Sequence, residues 1–146
     1  MTNTTKTVLF PVECKIASTV LCSSFCSRAM RYINAGHNAT ILFTNGYTTT
    51  LKLGTTMIGI FEELPFINQG EIEVETGALI VNYTDGLLDH EYHSNKTWGE
   101  ESLIDFTKAH GHLPPDQFNQ LLMDHIKLVI KGKPIDDVTL LTLRIF

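Results

Sequence analysis

The stretch ALIVNYTDGLLDH, residues 78–90, decides how the chain folds. Ala78 to Tyr83 are apolar on both faces, the pattern of a strand covered on both sides and placed centrally in a sheet. The run stops on Thr84-Asp85-Gly86, and Asp-Gly after an apolar run marks a turn. A central strand needs a neighbour along each edge, so the rest of the chain must supply them.

Upstream the sequence reads as strands and turns from about Ile16 to Ile80. EIEVE (71–75) alternates strictly and predicts a half-exposed strand, turned into the central one by Thr76-Gly77. Asn45-Gly46, between ILF and YTTTLKL, is a two-residue hairpin signal. MRYINA (30–35) and ATILF (39–43) are separated by Gly36-His37-Asn38, which is also hairpin spacing. KIASTVLCSSF (15–25) is rich in β-formers in its first half. Downstream of Gly86 the period changes. GEESLIDFTKAH (99–110) places Leu103, Phe106 and Ala109 on one helical face. PDQFNQLLMDHIKLVIKG (115–132) begins with Pro115 in a first-turn position beside Asp116. It repeats Phe118, Leu121, Leu122, His125, Ile126 and Val129 at helical spacing, and Gly132 and Pro134 end it. VTLLTLRI (138–145) is a closing strand. Strands, then two helices, then a strand predict an α+β fold, with mainly antiparallel sheet layers and two helices packed on one face.

The chain has 146 residues, 43% of them hydrophobic and 18% charged, with a formal net charge of −5. That suits one soluble globular domain with a substantial core. MTNTTKT and the residues up to 13 read as a flexible N-terminus, and 14–146 as the folded part. The acidic balance without a basic stripe argues against nucleic acid as a partner. No apolar run approaches bilayer length, and Val8–Val12 is too short for a signal-peptide core. Cys14, Cys22 and Cys26 make an odd number without a secretory signal, which points to reduced thiols in the cytoplasm. Cys22 and Cys26 lack the second pair that structural zinc requires.

Carboxylates gather at the ends of two of these strands. Asp85 follows Ala78–Tyr83, and Asp136 and Asp137 precede Val138–Ile145. If the two strands pair antiparallel, the end of one lies beside the start of the other, and Asp85 and Asp136 meet at one rim. Two carboxylates ~4 Å apart repel by about 1 kcal/mol in water and about 4 kcal/mol at an effective dielectric of ~20. Either they stay apart and solvated, or a cation holds them. Oxygen donors favour Mg²⁺ or Mn²⁺ over zinc or copper. Spacing alone leaves a plain turn and a solvated loop open as well.

Four segments, in order, carry a family resemblance: MRYINAGHN (30–38), LGTTMIGIFEELPF (53–66), ETGALIVNYTDGLLD (75–89) and GKPIDDVTLLTLRI (132–145). The chain from about residue 14 onward resembles the stage II sporulation protein E branch of the PPM (type 2C) Ser/Thr protein phosphatases. WGEESLIDFTKAH (98–110) fits the helix between the last two segments. The resemblance implies a truncated version of that family's α/β/β/α sandwich. It implies hydrolysis of phosphoserine or phosphothreonine with two Mn²⁺ or Mg²⁺ ions in the complete site and no covalent phosphoenzyme. Asp85 and Asp136 match the family's metal-binding aspartates, and Gly86 is the tight-turn residue beside the metals. His37, Asp137 and Asp89 are further candidates.

The sequence departs from the family in one respect. The earlier Asp-x-x-Gly-x-Gly element, whose Asp completes the dinuclear site, has no counterpart in residues 1–30. Fewer charged ligands imply weak metal binding, and so weak or absent activity for this chain alone. Missing strands would leave a sheet edge open, which invites a homodimer. The resemblance also implies a phosphoserine protein substrate, such as an anti-anti-sigma-type regulator in a bacterial partner-switching pathway. A non-catalytic pseudophosphatase or protein-interaction module of the same fold is the competing expectation.

Other residues invite chemistry. HEYH (90–93) and HGH (110–112) suggest zinc, but their spacing is not that of His-Glu-x-x-His, and solvated loop histidines fit better. His125 reads as a boundary histidine on the apolar face of the second helix. Trp98 reads as a lid on the core, and Phe61, Leu64, Pro65 and Phe66 as an apolar loop that packs on the sheet or, less in keeping with its composition, forms a partner-docking patch.

Overall fold

The computed structural model describes residues 19–24, 29–88, 90–91, 97–129 and 138–146. These fall into two compact units. The first takes the described residues up to His37 together with Leu51–Val74; the second takes Asn38–Thr50 and the described residues from Glu75 onward.

The first unit is organised around β2 (Ala29–Ala35). Met30, Tyr32 and Asn34 are buried while Arg31 is exposed, the alternation a half-covered strand requires. On one edge β2 pairs antiparallel with β1 (Thr19–Ser24), from Thr19 opposite Asn34 to Ser24 opposite Ala29. Its other edge is shared. β6 (Gly70–Glu73) runs antiparallel beside Ala29–Tyr32, and β5 (Gly54–Thr55) runs parallel beside Asn34–Ala35. A Cβ at Gly54 would sit 1.7 Å from the Asn34 carbonyl oxygen, so only glycine permits this approach.

The second unit is a four-stranded sheet in the order β10 (Leu140–Arg144), β7 (Leu79–Tyr83), β3 (Thr40–Thr44), β4 (Tyr47–Leu51). The strand expected to be central is central: β7 lies between β10 and β3 and is antiparallel to both. The Asn45-Gly46 hairpin joining β3 to β4 is present, both residues in the left-handed region (φ 50° and 79°), the geometry of a turn matched to strand twist. The other expected hairpin is not formed. β2 and β3 belong to different sheets, because Gly36 (φ 77°) and a short connection carry the chain out of one unit into the other instead of folding it back on itself.

Both helices cover the same face of this sheet. In α1 (Glu100–His110) Leu103, Phe106 and Thr107 are buried. Ala109, expected on that face, is exposed. Thr107, four residues after Leu103, lies on the buried face instead, and its hydroxyl donates to the Leu103 carbonyl at 2.8 Å, so it is buried satisfied. α2 (Pro115–Val129) starts at Pro115 as expected and buries Phe118, Leu122 and Ile126. These meet Ile41, Phe43, Leu79, Val81 and Tyr83 from the sheet. Leu121, also expected inside, is 40% exposed. A short ribbon of β8 (His90–Glu91) and β9 (Thr97–Trp98) leads into α1. Trp98 is within the core and not a lid over it. It is 2% exposed, edge-on to Phe106 at 6.4 Å and 5.3 Å from the His125 ring. His125 is accordingly a half-buried boundary residue.

The apolar loop after β5 does not pack on the sheet as the sequence suggested. Phe61, Leu64, Pro65 and Phe66 are all exposed. The loop is held at its base, where the Thr55 hydroxyl donates to the Phe66 carbonyl at 2.6 Å and the Asn68 N–H to the Gly54 carbonyl at 2.9 Å.

Arg144 closes the second unit. Its guanidinium donates to the carbonyl of Gly77 at 2.5 Å, of Gly111 at 3.0 Å and of Leu113. It thereby ties the end of β10 to the turn before β7 and to the interhelical loop. A planar fork serves several carbonyls where an ammonium cannot. Charge-assisted hydrogen bonds of this kind contribute about 1.5–3 kcal/mol each when desolvated and less when half exposed. Arg144→Ala should therefore lower unfolding stability by about 2 kcal/mol in urea titration, and Arg144→Lys should recover less than half of that loss.

Candidate functional site

The site expected from the sequence lies where β7 ends. Its register with β10 sets Tyr83 opposite Leu140. One residue further, the two chains are latched by side chain as well as backbone. The Thr84 N–H donates to the Thr139 carbonyl at 3.1 Å, and the Thr139 N–H donates to the Thr84 hydroxyl at 2.9 Å. The antiparallel pairing on which the rim argument depended is thus present, and the start of β10 lies beside the end of β7.

Beyond the latch Asp85–Leu87 makes one 3-10 turn, closed by Leu87 N–H to the Thr84 carbonyl at 3.0 Å and Leu88 N–H to the Asp85 carbonyl at 2.7 Å. Leu87 is fully buried in the helix-covered core and anchors the turn. Gly86 is buried within this right-handed turn, whereas Asp85 is exposed. One Asp85 carboxylate oxygen, Oδ1, accepts the Gly86 N–H at 3.1 Å. An anchored backbone thus presents the Asp85 carboxylate to solvent.

Asp85 and Gly86 are placed together. Asp89, Asp136 and Asp137 lie outside the described residues. His37 is in the other unit, half-buried on the turn after β2. That turn is braced by Asn34, a residue the sequence reading treated only as a strand position. Its buried side-chain amide accepts the His37 N–H at 2.8 Å and donates to the His37 carbonyl at 2.9 Å. The signal was available, because asparagine ahead of a glycine turn commonly bonds to backbone a few residues on. Thr84 was likewise passed over between Tyr83 and Asp85.

The donor chemistry at Asp85, an exposed carboxylate, fits a hard divalent cation. The count falls short of a full site: among the described residues no three His, Cys, Asp or Glu side chains converge on a common point. Of the histidines weighed for zinc, His93 and the His90 side chain lie outside the described residues. His110 packs on the Phe106 ring at 4.5 Å, and His112 is exposed.

The electrostatics beneath the rim are set by Tyr83. It is 2% exposed, and its phenol is pushed up to about 12, first by burial and then by the Glu100 carboxylate at the start of α1. Both act against the phenolate.

Comparison with known proteins fixes the family. The family described as stage II sporulation protein E (SpoIIE) matches residues 3–146. The chain belongs to the SpoIIE family. Three solved structures share its fold. The SiaA-PP2C domain of Pseudomonas aeruginosa is 20% identical, with a TM-score of 0.66 over 82% of this chain and 47% of that one. The phosphatase domain of the cell fate determinant SpoIIE from Bacillus subtilis, presoaked with Mn, is 15% identical, with a TM-score of 0.64 over 88% of this chain and 56% of that one. The RsbU and RsbW domains of a Mycobacterium tuberculosis protein are 22% identical, with a TM-score of 0.68 over 86% of this chain and 35% of that one. This SpoIIE-family chain therefore spans less than two-thirds of each. A search of curated protein sequences finds no match. The α+β architecture with a PP2C-type fold is established for this family member. Among its described residues no helix is long and apolar enough to cross a membrane.

Tyr83 yields a pH prediction. Between pH 10 and about 12 the folded chain keeps the phenol proton that the unfolded chain has lost. Protons bound in excess by the folded state make stability fall as pH rises. The contribution is intact below pH 10 and disappears as pH climbs through 12. Denaturation midpoints measured across this window should drop for the wild type and stay flatter for Tyr83→Phe. Phenolate absorbance should show one tyrosine ionising only at the top of the range.

Proposed function

We propose that this chain is part of a metal-dependent phosphoprotein phosphatase acting on phosphoserine or phosphothreonine in a bacterial signalling pathway. The observation that carries the reading is the Thr84–Thr139 latch. It sets the Asp85 turn beside Thr139, two positions after Asp137 in the sequence, and so supports for Asp85 and Asp136 the metal-binding roles that the family resemblance implies. SpoIIE-family membership and the shared PP2C-type fold support it.

Divalent Mn²⁺ or Mg²⁺, when bound, supplies an activated water and offsets charge on the phosphoryl oxygens. The chain's own contribution is positional. β7 and Leu87 fix the backbone under Asp85, and the Gly86 N–H orients one carboxylate oxygen. In the net reaction water adds to phosphorus while the bond from phosphorus to the serine oxygen breaks, leaving a free hydroxyl and inorganic phosphate. Asp137 and Asp89 stand as further candidates for that site, and His37 as a separate candidate residue. A small phosphoserine regulator of the anti-anti-sigma type is the proposed substrate, by analogy with relatives in partner-switching pathways, and the cytoplasm is the proposed location.

One observation favours the second reading, a non-catalytic interaction module of the same fold. Ile58, Ile60, Phe61, Phe66 and Ile67 are each at least half exposed within one loop, more apolar surface than a free-standing loop ordinarily shows.

Metal titration separates the two. With two family carboxylate positions in place of a fuller set, binding should be weak, with Kd on the order of 10⁻⁴–10⁻³ M. Mn²⁺ should broaden the Asp85 and Gly86 amide resonances first. Asp85→Ala should weaken the response at least tenfold and lower any Mn²⁺-dependent hydrolysis of an aryl phosphate by a similar factor. An unchanged titration and equal rates in wild type and variant would leave the interaction module as the better account.

A further inference from the structure

Asn45 is the only asparagine of the chain followed by glycine, and Asp85 is the only aspartate so placed. The two dipeptides share one intrinsic chemistry. The glycine amide nitrogen can attack the preceding side-chain carbonyl carbon and close a five-membered ring. Glycine allows this because no Cβ shields its nitrogen and its backbone turns freely. The structure treats the two dipeptides in opposite ways.

At Asp85 the fold opposes ring closure. The Gly86 N–H is bonded to Asp85 Oδ1 at 3.1 Å. Gly86 is buried in a turn closed by two backbone bonds and anchored by Leu87, so the turn must unwind before the ring can form. A carboxylate is also a poorer acyl donor than a carboxamide.

Asn45 stands in the opposite setting. Asn45 and Gly46 are both exposed and form the tip of the β3–β4 hairpin, with φ 50° and 79°. A Cβ at Gly46 would meet nothing within 4 Å, so no packing holds the tip shut. A hairpin tip opens at far lower cost than the strands behind it. Each opening lets Asn45 swing its carboxamide carbon onto the Gly46 nitrogen.

We propose that Asn45 is a site of spontaneous deamidation, whose isoaspartyl product is a substrate for carboxyl-methylating enzymes. Asparagine is among the thermolabile side chains. The Gly46 nitrogen bonds to Asn45 Cγ, the Cγ–Nδ2 bond breaks, and ammonia leaves with the amide proton. Water then opens the ring. Attack at the main-chain carbonyl gives isoaspartate, with the backbone routed through the side chain. Attack at Cγ gives aspartate. One water is consumed and one ammonia released, with no oxidant or reductant.

The two products meet the turn differently. Asp-Gly suits the same turn type as Asn-Gly, so the aspartyl chain keeps its hairpin. Isoaspartate adds a methylene to the main chain, and a two-residue connection cannot absorb it without shifting the pairing. The damage enters at β3, the strand that flanks β7. Either product adds one negative charge to a chain whose formal net charge is −5. The proposal does not rest on the metal reading, since no metal ligand takes part.

Incubation of the folded full chain at mildly alkaline pH, followed by peptide mapping, tests it. The peptide holding Asn45 should gain one mass unit at least tenfold faster than any other asparagine peptide. An isoaspartyl methyltransferase with labelled S-adenosylmethionine should label that peptide and not the one holding Asp85. In denaturant the Asp85 peptide should begin to label, because its turn is gone. Asn45→Gly keeps a turn-forming pair and should abolish the label on its peptide. The isoaspartyl chain, isolated by ion exchange, should lose amide-exchange protection along β3 and β4, whereas Asn45→Asp should retain it. Deamidation no faster at Asn45 than elsewhere overturns the proposal, as does label that appears first at Asp85 in the folded chain. An isoaspartyl chain with wild-type protection overturns the hairpin consequence.

Discussion

The structure of the second unit depends on satisfying one strand on both edges and both faces. β7 is apolar on either side, so each of its backbone groups must find a partner in a neighbouring strand and not in water. β3 arrives from upstream and β10 from downstream. Those two pairings fix where the helices dock, because Leu79, Val81 and Tyr83 face the α1 and α2 side while Ile80 faces away. They also fix where the candidate site forms, because the ladder continues one residue past the strand through Thr84 and Thr139. The exposed Asp85 is held in place by a ladder it does not itself belong to.

Local chemistry was readable wherever it was self-contained. Asn45-Gly46 specifies its turn through two residues that tolerate positive φ, and the structure has that turn. Pro115 specifies the start of α2 for a similarly local reason. The central position of β7 was legible because burial on both faces leaves its mark on every residue of the strand. What the sequence left unstated depended on partners far along the chain. The spacing between Ala35 and Ala39 is right for a hairpin, yet β2 finds β1, β5 and β6 while β3 finds β7 and β4. Whether two adjacent strands pair is settled by competition with remote strands, and spacing cannot register that. In α1 the buried face runs through Leu103, Phe106 and Thr107, and a threonine there is not marked as buried by composition, because its hydroxyl is satisfied only once the helix has formed.

The candidate site was legible to the same degree. Asp85 could be singled out because an Asp-Gly turn follows a central strand, and the family segments around it raised its standing. Thr84, which makes the latch, and Asn34, which braces the His37 turn, are polar residues whose work is to bond backbone. Their role shows only once the chain they bond to has been brought alongside. The loop after β5 shows the opposite failure: its apolar side chains suggested burial, but composition does not say whether a surface exists to receive them.

The distance along the chain between β7 and its second partner has a kinetic consequence. Tyr83 waits for Leu140, nearly sixty positions further on, with both helices between them. Pairings of such long range close late and slowly, since the intervening chain must be ordered before any bond rewards it. During synthesis β7 leaves the ribosome with β3 already available and β10 not yet made. For that interval its second edge, flanked by Leu79, Ile80 and Val81, is exposed in a nascent chain. A cell producing this protein would meet its most aggregation-prone species as an intermediate, before the last strand is in place.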